Sequence, residues 1–288
     1  MQIKEIIDLW LAEKQQKVKI SSFAIYATNM ENHITPFFGQ MSEVRSEDVD
    51  RFVKMKEEEG CSPNTIASLV TMIKSVLKYG EKKGMTADVA IGSYQLSGKK
   101  QEGTNETLSS EQEKKLINYV YNHPTIENIG IALCLQTGLR IGEICGIKWE
   151  DIDSEKPVVN VERTVERIYV NENGHKYSRV IIAGPKSTTS VRSVPFDRAL
   201  FNRIRVLRPQ DASGKYFLTG TEKPTEPRAY RNIFTRLMTK MGSTQTKFGI
   251  LRNTYAMRNL ANGMSYDTLT VLLGISSPSI TRMMFKPI

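Results

Sequence analysis

The sequence predicts a mainly α protein carrying a small antiparallel β-sheet, an α+β fold in two domains. Three observations predict it. Apolar residues recur at helical spacing through residues 1–90, and helical runs resume from Leu108. Alternation of apolar and polar residues is confined to one region, from Val159 to Pro195. Between the first helical block and the second, residues 92–106 are polar and glycine-containing with no apolar period, which reads as a linker. The expected organisation is therefore a helical domain over 1–91, a linker over 92–106 and a second domain over 107–288.

The helical elements follow in order. Ile3, Ile6, Ile7, Trp10 and Leu11 mark a first helix, and Phe23 to Ile34 a second, closed by Pro36 and Gly39. Ser46-Glu47-Asp48-Val49 is a capped start for a third, continued by Phe52 and Met55 and ended by Gly60. Ser62-Pro63 opens a fourth, with proline near its first position and Ile66, Leu69, Ile73, Val76 and Leu77 on its buried face. Lys74 and Lys78 lie off that face; they read either as solvated residues or as contacts to a polyanion.

The second domain begins with a capping-box pattern, Ser109 to Gln112, ahead of Leu116, Ile117 and Val120. An apolar run, Ile129 to Leu135, reads as a buried helix that Gly138 breaks. A new helix starts near Arg140, with Ile141, Ile144, Cys145 and Trp149 on one apolar face. Arg140 and Glu143 can pair on neighbouring turns of that helix. Strands follow at Val159–Val161, Ile168–Val170, Arg179–Ala183 and Val191–Pro195, with a turn at Asn171–Gly174 and Lys186 at the tip between the last two. Residues 197–241 read as helical and basic, with Arg228, Arg231 and Arg236 beside core positions Tyr230, Phe234 and Leu237; these arginines suit either solvent or a phosphate backbone. Arg252 lies in the next helix, ended by Asn262-Gly263. Ser265 and Ser277 cap the last two, and Gly274 stops the first of these.

Bulk properties narrow the function. The 288 residues carry a net charge of +9, unevenly spread: 14 Lys and Arg against 13 Asp and Glu in residues 1–100, but 26 against 18 in residues 101–288. A basic second half suggests a polyanionic partner, most simply nucleic acid. Cys61, Cys134 and Cys145 form no CxxC pair and have no histidine at ligand spacing, which points to reduced, structural thiols, a cytoplasmic protein and no metal. No apolar run reaches transmembrane length and no signal peptide is visible, so no membrane partner is expected.

Thr137-Gly138-Leu139-Arg140-Ile141-Gly142-Glu143 resembles the first signature box of the tyrosine recombinases, or phage-type integrases, in which the arginine belongs to the active site. The run Pro185-Lys186-Ser187 to Pro195 resembles the family's β-hairpin lysine, and Leu251-Arg252-Asn253-Thr254 its second arginine box. Leu272-Leu273-Gly274 with Ser276 to Thr281 is also similar, and the first helices resemble the family's core-binding domain. The resemblance implies a helical core-binding domain followed by a catalytic-type domain. It implies double-stranded DNA as partner, a homo-multimer, in the family a tetramer, on paired sites, and phosphodiester strand transfer in integration, excision or inversion, with no cofactor.

The implied chemistry suits these residues. Two guanidiniums stabilise charge on the non-bridging oxygens of the attacked phosphate. Lys186 protonates the leaving 5′ oxygen, and a tyrosine forms a 3′-phosphotyrosyl link. This sequence departs from the family at four places. Gly249, Asn253 and Ile275 stand where histidine is usual, although Asn253 keeps a hydrogen-bonding side chain. The nucleophile is expected at Met284 or Phe285, with Phe285 the tyrosine lacking its hydroxyl, and no tyrosine follows Tyr266. Cleavage by this chain is therefore in doubt. A degenerate recombinase, a nucleophile-deleted form and an incomplete C-terminus all fit. The alternative of another class is a non-catalytic architectural or regulatory protein occupying recombination sites.

Overall fold

A computed structural model describes residues 1–85, 106–172, 174–184, 190–243 and 246–286. The chain divides into two compact units, Met1–Gly103 with Ile168–Arg179, and Thr104–Arg167 with Val180–Ile288. The fold is mainly helical with small antiparallel sheets, as predicted. No described helix is long and apolar enough to cross a membrane.

In the first unit, α1 (Ile3–Lys17) and α5 (Pro63–Lys82) lay apolar faces together. Ile3, Ile6, Ile7 and Trp10 share a core with Ile66, Leu69, Ile73 and Val76 because each set recurs every three or four residues. Ser62 caps α5, its hydroxyl accepting the Thr65 amide at 3.2 Å, with Pro63 in the first turn where its missing N–H costs nothing. One expectation fails here. Pro36 and Gly39 do not end the second helix at Ile34: α2 (Ile20–Asn29) runs through a π-helical turn, Met30–Ile34, into α3 (Thr35–Phe38). The Thr35 amide bonds back five residues to Met30, and this wider turn lets the chain stay helical across a proline that has no N–H to offer. α4 (Ser46–Glu58) completes the unit.

The second unit opens with α6 (Ser110–Asn122), where Ser109 and Gln112 form the capping box, and continues with α7 (Ile126–Thr137), buried from Ile129 to Leu135. α8 is shorter than predicted, Ile141–Gly146; Trp149 lies instead in a 3-10 turn, Trp149–Asp151, buried edge-on against Phe217. β1 (Val158–Val161) pairs antiparallel with β4 (Arg192–Pro195), placing Val159 opposite Val194 and Val161 opposite Arg192. β2 (Thr164–Glu172) pairs with β3 (His175–Ala183), a hairpin whose stretch Ile168–Arg179 is counted with the first unit.

Among the described residues, no pairing joins the two strands that flank Lys186: β4 pairs with β1 and β3 with β2. β3 is already taken by β2 through the Asn171–Gly174 turn, where the Asn171 side chain accepts the Gly174 amide at 3.1 Å. Helix also does not fill 197–241. α9 (Arg198–Leu207) and α10 (Pro227–Lys240) are separated by an irregular stretch containing Pro209, Gly214, Gly220 and Pro224. Within it the Phe217 amide donates to Ile147. α11 (Ile250–Ala261), α12 (Tyr266–Leu273) and α13 (Pro278–Met284) end the chain's regular structure.

Candidate active site

The C-terminal end of α12 is the point on which the site is built. Gly274 stops the helix with φ +59°, leaving the carbonyls of Leu272, Leu273 and Gly274 without helical partners. Gly138 ends α7 in the same left-handed way, and a Cβ there would stand 2.7 Å from the side chains of Leu273 and Tyr255. Only glycine allows the α7–α8 turn to approach α11 and α12 this closely.

Arg140 N-caps α8. Its backbone amide donates to Glu143 Oε2 at 2.8 Å and its Nη1 to Oε1 at 2.8 Å. The rest of its guanidinium reaches the α12 end, Nη1 to the Leu273 carbonyl at 3.4 Å and Nη2 to the Gly274 carbonyl at 3.3 Å. Its side chain keeps 43% exposure and forms the open side of the cluster. Arg252 enters from the first turn of α11. It is buried, with Nη1 donating to the Gly138 carbonyl at 2.8 Å and Nη2 to the Leu273 carbonyl at 2.9 Å. Two arginines far apart in sequence thus meet at one carbonyl.

A third guanidinium completes the group. Arg192 of β4 donates through Nη1 and Nη2 to Glu143 at 3.1 and 2.9 Å and through Nε to the Leu272 carbonyl at 2.7 Å. Sequence reasoning missed it, treating Arg192 as a strand residue and considering only the Arg140–Glu143 pair. The pair does form, but Glu143 is buried. Burial pushes the Glu143 carboxyl up, yet hydrogen bonds and charge from Arg192, then Arg140, overcome it and hold it at about 2. Burial and the neighbouring Arg140 lower Arg252 to about 9, so it remains cationic at neutral pH. The site is three cations against one carboxylate, placed at the negative end of a helix. Such a cluster holds a surplus of positive charge for an anion.

The other expected residues fall elsewhere. Phe285 caps α13 and is 1% exposed, packed with Tyr255, Ala256, Leu269, Leu273 and Ile275. Two contacts hold it there: the Tyr266 hydroxyl donates to the Phe285 carbonyl at 3.0 Å, and the buried Thr270 and Thr281 hydroxyls bond at 2.7 Å. Leu273 belongs to both groups, its carbonyl among the arginines and its side chain beside Phe285. Asn253 is half-buried and its side-chain amide donates to the Glu106 carbonyl at 3.2 Å. Lys186 lies outside the described residues. Lys74 and Lys78 are on α5, half-buried and exposed, and Arg228, Arg231 and Arg236 are exposed on α10. Cys61, Cys134 and Cys145 are free thiols, and burial pushes Cys145 up to about 12.

Known structures share this architecture. The Tn1549 transposon integrase, solved in complex with a circular intermediate DNA, matches with a TM-score of 0.81 over 100% of this chain and 95% of that one, at 20% identity. A lambda integrase tetramer bound to a Holliday junction matches with a TM-score of 0.67 over 97% of this chain and 79% of that one, at 14% identity. The fold is thus that of the solved integrases. In sequence, the model of the phage integrase family matches residues 106–285, and that of the phage integrase N-terminal SAM-like domain matches residues 2–56. The chain belongs to the phage integrase family. A curated relative, the tyrosine recombinase XerC-like protein of Caldanaerobacter subterraneus subsp. tengcongensis, is 26% identical over 98% of this chain and 78% of its own length. The putative defective protein IntQ of Escherichia coli K12 is 25% identical over 57% of this chain and 44% of its own length.

Proposed function

We propose that the chain is a tyrosine-type site-specific recombinase by descent and architecture, acting on double-stranded DNA. In this reading Arg140 and Arg252 hold one phosphodiester. The observation that carries it is their convergence on the Leu273 carbonyl, with Arg140 open to solvent. Their forks of N–H donors match the non-bridging oxygens of a phosphate and stay charged at any physiological pH. Lys186 is the proposed proton donor to the leaving 5′ oxygen, and Asn253 keeps a hydrogen-bonding side chain beside Arg252 in the chain. In this reading residues 1–91 and 107–288 each contact the duplex, with Lys74, Lys78, Arg228 and Arg231 as phosphate contacts. A homo-multimer on paired sites is supported by the lambda integrase tetramer on its junction.

Phe285 at the nucleophile position supports a second element: this chain binds its site and does not cleave it. The buried Phe285 ring carries no oxygen that could attack phosphorus. Function would then be occupancy of recombination sites. A nicked duplex that traps covalent adducts tests this. The native chain is expected to shift the duplex, with affinity falling steeply as salt rises, and to give no denaturant-resistant band. Phe285→Tyr is expected to give one. A covalent band from the native chain overturns the cleavage-deficient reading, and no complex at low salt overturns DNA binding.

A further inference from the structure

We infer that Arg192 is a positioning residue for the phosphate pocket: it saturates Glu143 and pins it to the end of α12, so that the carboxylate holds the part-exposed Arg140 in place without drawing it inward. The inference rests on the reading of Arg140 and Arg252 as phosphate ligands. Arg192 itself cannot be a ligand, because its side chain is 2% exposed. What it does is fill Glu143. Each carboxylate oxygen takes one bond from each arginine: Oε1 from Arg140 Nη1 and Arg192 Nη1, Oε2 from the Arg140 amide and Arg192 Nη2. A carboxylate with four such bonds has no free acceptor capacity. It holds Arg140 at its backbone and at Nη1, while Nη2 makes only a long bond to the Gly274 carbonyl, 3.3 Å, and the side chain keeps 43% exposure.

Arg192 also sets a distance. Its Nε donates to Leu272, the neighbour of the carbonyl that Arg140 and Arg252 share, and its Nη1 donates to the Ser190 carbonyl at 3.1 Å. One planar guanidinium therefore ties α8, β4 and the α12 end, the elements that carry Arg140 and the carbonyl Arg252 grips. The chain leaves room for it: a Cβ on Gly274 would come within 2.9 Å of Arg192 Nη1. Without Arg192, the remaining cation on Glu143 among the described residues is Arg140, which the carboxylate would draw inward in competition with a phosphate. The cluster's charge would fall as well. A lysine keeps the charge but offers no planar fork and cannot make the bidentate pair and the Leu272 bond together.

The experiment is side-chain nitrogen NMR of the arginine guanidiniums during titration with inorganic phosphate. It uses the full chain as wild type, as Arg192→Lys, and as the double variant Arg192→Met with Glu143→Gln. The double variant removes both buried charges, so it stays folded if any single change does not. Wild-type Arg140 and Arg252 signals are expected to move together and saturate. Both variants, folded by their amide spectra, are expected to bind phosphate roughly tenfold more weakly, the scale on which groups that orient a charged site act. Phosphate binding within about twofold of wild type in the folded double variant assigns Arg192 to stability alone and overturns the inference. Wild-type signals that ignore phosphate overturn the pocket itself, and the inference with it.

Discussion

Leu273 has two sides, and they differ in kind. Its carbonyl sits among Arg140, Arg252 and, one residue away, Arg192, in a region where hydrogen bonds tie four elements together. Its side chain sits in an apolar cluster with Phe285, Tyr255 and Ile275, where packing decides the arrangement and polar chemistry is confined to the rim. The cationic side has what phosphate recognition needs. The apolar side keeps the Phe285 ring, which has no hydroxyl, in place. On the proposed reading, phosphate recognition by the charged half is separable from attack on phosphorus, for which the Phe285 ring carries no oxygen.

The comparison can be broken from either side. Arg192→Met strands Glu143 as a buried carboxylate with one cation fewer, and is expected to cost about 4 kcal/mol in urea unfolding. Phe285→Ala opens a cavity in the apolar cluster and is expected to cost about 3 kcal/mol while leaving duplex affinity unchanged, since no phosphate ligand moves. Equal losses of affinity in both variants would mean the two sides act as one.

Acid should separate them next. Glu143 is held at about 2, below its value in an unfolded chain, so its contribution to stability is complete above the ordinary carboxylate range and is lost as pH falls toward about 2. The size is on the order of 3 kcal/mol. Unfolding free energies measured between neutral pH and pH ~3 should fall more steeply for the native chain than for Glu143→Gln. Parallel slopes would remove Glu143 from the account. The smallest expected effect is at the rim: Tyr266→Phe loses one hydrogen bond to the Phe285 carbonyl, about 1 kcal/mol, read as faster amide exchange in α13 with the arginine cluster unaffected.

Local signals in the sequence translated well. The Ser109–Gln112 box, the Ser62-Pro63 start and the Gly138 and Gly274 stops depend on residues within a turn of each other, and all stand where the residue types put them. Features set by distant partners were not legible. The pairing of β4 with β1 needs Val194 to find Val159, and the π turn before Pro36 is a register shift with no residue type of its own. At the site, resemblance pointed to Arg140 and Arg252, but their shared carbonyl lies on a third helix. Arg192 carried a usable signal: it shares a strand face with Val194, and a charged residue on a buried face needs a buried partner.

The central claim is that Arg140 and Arg252 grip the same phosphate. Ethylation interference on the preferred duplex, selected first from a random library, tests it directly with the native chain, Arg140→Lys and Arg252→Lys. The prediction is that both variants lose interference at one common phosphate in each half-site and keep it elsewhere. Loss at two different phosphates, or at none, would contradict it.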